Sequence, residues 1–202
     1  MNKVSCNHDG IKIALKSIKN GGIVIFPTDT VYGIGCDPYN KDALNKIYEI
    51  KKRDKNKILP ILGYSINDLE KIVEFDKTTK KIVKKLWPGQ LTIILPLKDE
   101  KLKKSMDVND KIAVRVPNNK CVLSLLKECK LMIGTSANVS TKKSFVDPKQ
   151  CEKSITGYDV FLDGGKIQSL GESTIIEIIN EEIKILRQGV ISDEKIFSLI
   201  LI

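Results

Sequence analysis

Apolar positions follow two rhythms along this chain of 202 residues. A recurrence every three or four residues predicts amphipathic helices, and short unbroken apolar runs predict buried strands. Residues 9–20 place Ile11, Leu15 and Ile18 on one face and stop at Asn20-Gly21-Gly22, which predicts a helix. A buried strand follows at Ile23-Val24-Ile25-Phe26, ended by Pro27. Helical spacing returns over 41–51 through Leu44, Ile47 and Tyr48. Ile58–Leu62 reads as a short strand, and Pro60 assigns it to a sheet edge or a bulge. Ser65–Asp68 resembles a capping signal for a helix to about Val73, and another helix is expected over 78–86, closed by Trp87-Pro88-Gly89. Strands are expected at 91–95, 112–116 and 131–135, with a lysine-rich connection after the first and a helix near 119–129 before the last. Ser173–Ile179 and Glu182–Leu186 stand two residues apart and predict a hairpin, and a last helix is expected over 193–201. Strands and helices interleave, and the hairpin forbids an all-parallel sheet. The expected fold class is α/β (α+β), a single domain over residues 1–202 with a twisted mixed β-sheet flanked by helices.

Composition narrows the function classes. A hydrophobic fraction of 42% and a charged fraction of 29% are those of a globular chain and exclude disorder. Apolar runs such as Gly22–Phe26 fall far short of the roughly 20 residues of a membrane helix, and the first residues lack the apolar core of a secretory signal. A cytoplasmic protein with no membrane association is expected. Cysteines stand at 6, 36, 121, 129 and 151 with no C-x-x-C spacing, so reduced, mostly buried thiols and no zinc site are expected. The single histidine, His8, lies outside the main pattern, which disfavours a histidine-assisted nucleophile.

The net charge of +9 favours anionic partners such as nucleotides or RNA, although most of the lysines read equally well as a solvated surface. The division between the two cations is more informative. Among 34 basic residues only Arg53, Arg115 and Arg187 are arginine. In a lysine background an arginine is suited to sites that need its planar fork, which binds phosphate or carboxylate through paired hydrogen bonds.

Four groups of residues carry more polar chemistry than their turns need. Pro27–Gly35 holds Thr28 and Thr30, which share one side of an extended chain; the plainer reading is a turn in which Asp29 bonds its own backbone. Lys51–Lys57 packs five cations into seven residues after a helix, enough for a polyphosphate, and Lys51 with Arg53 would grip one anion from one side. Gly134–Asn138 follows an apolar strand with small residues and sends Ser136 and Asn138 to one side. The fourth group is Arg115 within an apolar strand, Ser173-Thr174 at a strand start and Arg187 at a strand end. No G-x-x-x-x-G-K-[ST] loop is present, and Gly33-Ile34-Gly35 lacks the third glycine of the dinucleotide fingerprint.

Seven ordered motifs resemble the threonylcarbamoyl-AMP synthase family in its short, single-domain form. They are Pro27–Gly35, Ile50–Arg53, Trp87–Thr92, Val114–Pro117, Thr135–Asn138, Ser173–Ile175 and Ile185–Gly189. The resemblance implies a fold with an open cleft on one side and no C-terminal second domain. It implies synthesis of L-threonylcarbamoyl-AMP and pyrophosphate from L-threonine, bicarbonate and ATP with Mg²⁺, the first step of threonylcarbamoyladenosine modification of tRNA. It implies that Lys51, Arg53, Ser136 and Asn138 form the reaction site. ATP would meet Lys51, Arg53, Lys57, Asn138 and Arg187; threonine would meet Thr30, Arg115, Ser136 and Ser173. No protein side chain is expected to ligate metal. A downstream tRNA threonylcarbamoyltransferase complex is the implied partner, with tRNA or double-stranded RNA as a further contact. The chain departs from the family at Asp54 and Ile58, where proline is common, at Leu62, where some members have histidine, and at Ser140-Thr141, where Ser-Gly is usual. The alternatives are a non-catalytic RNA-binding module, which an aromatic content of 5% disfavours, and a carbamoyl-transfer domain of the hydrogenase-maturation type.

Overall fold

A computed structural model of the protein describes residues 1–179 and 182–198. In chain order its elements are β1 (Asn2–Ser5), α1 (His8–Lys19), β2 (Val24–Pro27), β3 (Tyr32–Gly35), α2 (Lys41–Lys51), β4 (Ile61–Gly63) and α3 (Ile66–Leu69). Next come α4 (Lys77–Leu86), β5 (Leu91–Pro96), α5 (Glu100–Met106), β6 (Lys111–Arg115), α6 (Lys120–Cys129), β7 (Leu131–Ile133) and β8 (Thr135–Ser136). The last are α7 (Pro148–Ser154), β9 (Val160–Asp163), β10 (Thr174–Ile179), β11 (Glu182–Arg187) and α8 (Asp193–Phe197).

The mixed α/β class holds, with the strands divided between two sheets where one was expected. Their orders are β1-β9-β2-β3-β8 and β11-β10-β5-β6-β4-β7, and each contains parallel and antiparallel pairs. Alternation along β2 explains the unbroken apolar run at 23–26. Ile25 joins Ile34 and Phe161 in a core that also takes Ile61, Ile93, Val114 and Ile176 of the second sheet. Val24 and Phe26 face the other way, into a cluster with Ala14 and Ile18 of α1 and Val122 and Leu125 of α6. Both faces of β2 are therefore covered, and each buried large aliphatic or aromatic side chain contributes about 1.5–3 kcal/mol.

In the second sheet the same alternation separates core from cleft. Ile93, Val114 and Ile176 point inward, while their neighbours Thr92, Ile94, Ala113, Arg115 and Ile175 line an open hollow. Parallel and antiparallel registers set Ile175 beside Thr92 and Ile94 beside Ala113, so this face changes from polar to apolar along its length.

The structure also revises several local readings. β4 begins after Pro60 and lies between β6 and β7 rather than at an edge. Pro60 needs no ladder donor outside the strand, and its carbonyl accepts Gly134 N at 3.0 Å. Strand β3 sits where a loop was expected. Its glycines carry little strand signal, yet a Cβ at Gly35 would lie 1.8 Å from the Ile133 carbonyl oxygen. The lysine-rich connection contains α5, and β1, α7 and β9 lie in segments without an expected element. The turn at 180–181 and positions 199–201 of the expected last helix lie outside the described residues. No helix among those described is long and apolar enough to cross a membrane.

The expectation of five reduced thiols is corrected at two positions. Cys6, after β1, is bonded to Cys121, at the start of α6, with Cα atoms 5.9 Å apart. The fold brings together two cysteines 115 residues apart, a proximity that no local spacing encodes. Cys36, Cys129 and Cys151 are free. A loop of this length gives a cross-link roughly 2–5 kcal/mol of stabilisation. Reduction with dithiothreitol is expected to lower the unfolding free energy by about that amount in a urea titration. An unchanged midpoint would contradict the bond.

Candidate active site

The site is built on strand ends and the turns that follow them. Thr28 opens the turn between β2 and β3: its Oγ1 accepts Thr30 N at 3.1 Å and Val31 N at 3.2 Å and donates to Val31 O at 2.7 Å. Thr28 thus does what the plainer sequence reading assigned to Asp29. The Thr28 and Thr30 hydroxyls meet at 3.0 Å, in a turn rather than in extended chain.

Asp29 is left to pair with Arg115 across the sheets. Arg115 is 5% exposed. Its Nε donates to Gly89 O at 2.8 Å, Nη1 to Thr30 Oγ1 at 3.1 Å and Nη2 to Asp29 Oδ1 at 2.5 Å. Burial lowers its pKa, against the opposing effect of the Asp29 carboxylate. The turn after α4, with a cis Trp87–Pro88 peptide, supplies both Gly89 and Gln90. Gln90 Nε2 holds Asp29 O at 2.9 Å, and Asn119 Nδ2 holds Thr28 O at 3.3 Å. Asp29, Gly89, Gln90 and Asn119 were not among the expected site residues. The arginine inside an apolar strand was the available signal, because a buried arginine requires acceptors.

Arg187, on the same cleft wall, donates through Nη1 to Glu172 and through Nη2 to Ser173 Oγ at 3.1 Å. Ser173 Oγ also meets Thr92 Oγ1 at 2.9 Å. Arg53 turns back on its own loop, with Nε on Lys57 O at 2.8 Å and Nη2 on Ile58 O at 3.2 Å. Burial lowers the Arg53 pKa, and the charge of Arg187 pushes it the same way.

One hollow of about 390 Å³ gathers Thr30, Arg53, Lys57, Arg115, Ser136, Ser173 and Arg187 on its wall. Lys51 and Asn138 are absent from that wall and stand behind it. Lys52, at φ 47°, ends α2 in a left-handed turn, so Lys51 and Arg53 diverge. The expected common grip on one anion is therefore corrected. Lys51 Nζ donates to Ser136 O, to Asn138 O at 2.9 Å and to Asn138 Oδ1 at 3.1 Å. Asn138 in turn accepts from Ser136 Oγ at 2.7 Å and donates to Lys142 O.

Cations dominate the hollow. Glu172 is its one acidic lining residue among those described, and no cluster of three metal-ligating side chains occurs among them. A cavity of this size with convergent cations and hydroxyls fits a small polyanionic ligand.

The Sua5_yciO_yrdC family model, described as "Telomere recombination", matches residues 16–189. This chain belongs to the Sua5/YciO/YrdC family. A Methanocaldococcus jannaschii relative, provisionally named threonylcarbamoyl-AMP synthase, is 37% identical over 90% of this chain and 86% of its own length. Bacillus subtilis threonylcarbamoyl-AMP synthase is 33% identical over 98% of this chain. A crystal structure of Pyrococcus abyssi Sua5 complexed with L-threonine superposes with a TM-score of 0.88, at 29% identity over 98% of this chain. The chain spans 58% of the Bacillus protein and 59% of the Pyrococcus chain. This family member therefore matches a part of those two longer relatives.

Proposed function

We propose that the chain makes L-threonylcarbamoyl-AMP and pyrophosphate from L-threonine, bicarbonate and ATP. The supporting observation is a single hollow whose wall joins a buried arginine, Arg115, to Arg53, Arg187 and Lys57. The Bacillus relative is named for this activity, and the Pyrococcus relative binds L-threonine.

In this reading Arg115 takes the threonine carboxylate. Three of a guanidinium's five N–H groups are engaged by Gly89, Thr30 and Asp29, leaving two for the ligand. Thr30, bonded to Arg115, and Ser173 offer hydroxyls on the same wall, which also carries the apolar row of Ile94, Ala113 and Ile175. The triphosphate lies toward Arg53, Lys57 and Arg187, with Ser136 between the two substrates. On binding phosphate, Arg187 exchanges its contact with Glu172 for the nucleotide.

The threonine amine adds to the carbon of bicarbonate-derived carbon dioxide and loses a proton, giving a carbamate. A carbamate oxygen attacks the α-phosphorus, the bond to the β-phosphate oxygen breaks, and pyrophosphate leaves. The nucleophile is already anionic, so neither a histidine base nor a serine nucleophile is required. The side chains align the reactants and offset developing charge. Magnesium, held by phosphate oxygens and water, would supply further neutralisation of phosphate charge. Membership of the nucleotidyltransferases follows from the transfer of AMP. The mixed anhydride is prone to hydrolysis, so a transferase that consumes it would complete the sequence.

Pyrophosphate release by the purified protein tests this reading. Release is expected only when ATP, magnesium, bicarbonate and threonine are all present, with serine a poorer substrate because it lacks the methyl group. Release that ignores threonine would overturn it.

A further inference from the structure

Lys51 is 1% exposed and is not itself a lining residue of the cleft, although its Nζ reaches Ser136, which is. An ammonium group has three N–H donors, and three oxygens of one short segment surround this one: Ser136 O, Asn138 O and Asn138 Oδ1. The segment is tied from its far side as well, since Ser140 N donates to Lys51 O at 2.7 Å. Ser136, by contrast, lines the cleft. A phosphate bound at Nζ would have to displace one of these acceptors and leave it buried without a partner, a cost of about 1–3 kcal/mol. The planar fork of arginine could not serve three converging acceptors in the same way.

We infer that Lys51 is a positioning residue, which fixes the 136–138 segment at the cleft and does not itself bind phosphate. The catalytic consequence rests on the reaction proposed above; the arrangement of donors and acceptors does not. Lysine in the K-x-R pattern thus sets the place of Ser136, while Arg53 faces the ligand.

The charged groups acting on Lys51 are Arg53 and Glu172. Burial, with Arg53 adding to it and Glu172 opposing it, lowers the Lys51 pKa to about 8. Deprotonation removes one donor from a three-acceptor set, so turnover is expected to decline above about pH 8. Stability moves the other way. The folded pKa lies below the ordinary lysine value of 10.5, so the unfolded chain holds the proton to higher pH, and this group's contribution to stability rises between the two values.

Reductive methylation of the intact protein, mapped by mass spectrometry with and without a non-hydrolysable ATP analogue, separates a brace from a ligand. Lys57 is expected to be methylated in the free protein and protected by the nucleotide, while Lys51 stays unmodified in both states. Methylation of Lys51 in the free protein overturns the inference. Failure of the nucleotide to protect Lys57 counts against the ATP reading, and the free-protein arm still decides Lys51.

Kinetics of Lys51→Ala provide the second readout. A misplaced segment is expected to lower kcat on the order of a hundredfold, with ATP KM changed by less than about threefold. Propylamine should restore part of kcat by filling the vacated space. A rise in ATP KM with kcat retained would mark a lost phosphate ligand and overturn the inference.

Discussion

Alanine at Arg115 is expected to reduce kcat/KM for threonine by roughly 30- to 4,000-fold, the equivalent of about 2–5 kcal/mol for removing one partner of a buried, hydrogen-bonded charge pair. The loss has two sources. The proposed ligand carboxylate loses a paired donor, and Asp29 is left buried without its counter-ion. Breaking such a pair destabilises a fold by about 3–5 kcal/mol, so Arg115→Lys is the necessary companion. Lysine keeps the charge but cannot reproduce bonds to Gly89, Thr30 and Asp29 while presenting a fork to the ligand. The lysine variant is expected to fold, by circular dichroism, and still to show a raised threonine KM. Wild-type threonine kinetics in Arg115→Lys would remove the arginine from the role proposed for it.

Arg53→Ala is expected to have a comparable effect on turnover with little effect on folding. Its guanidinium holds the carbonyls of Lys57 and Ile58 and shares the cleft with Arg187, whose charge repels it. Two arginines held close together await a polyanion. Losing one charge-stabilising donor commonly costs about 10²–10³ in kcat. Arg53 is half-buried and lies on a loop at the cleft wall, so the change in unfolding free energy should stay within about 1 kcal/mol. Pyrophosphate release and thermal unfolding, measured on the same preparation, check both halves. Full turnover in the variant would show that Arg53 only braces its loop.

Much of this site was legible in the residues because the chain uses lysine so freely. Against that background Arg53, Arg115 and Arg187 stood out, and all three reach the cleft wall. The helices at 41–51 and 77–86 and the terminal hairpin followed from periodicity and caps. Other features depend on contacts between distant segments. Nothing near Asp29 announces that Gln90 will hold its carbonyl or that Arg115 will take its carboxylate. Two sheets share one set of apolar residues, and alternation within a strand does not say which sheet it joins. Lys51 and Arg53 were expected to point together because they are two apart, but the left-handed turn at Lys52 separates them. Strand β3 was hidden by glycines chosen for close backbone approach rather than for strand propensity.

The proposed reaction joins threonine, bicarbonate carbon and the α-phosphate of ATP in one cleft. The most direct measurement supplies 13C-labelled bicarbonate with ATP, magnesium and threonine, followed by rapid mass spectrometry. The expected product is threonylcarbamoyl-AMP with the label in the carbamoyl carbon, formed with equimolar pyrophosphate. AMP and pyrophosphate appearing without a labelled anhydride would contradict the reaction.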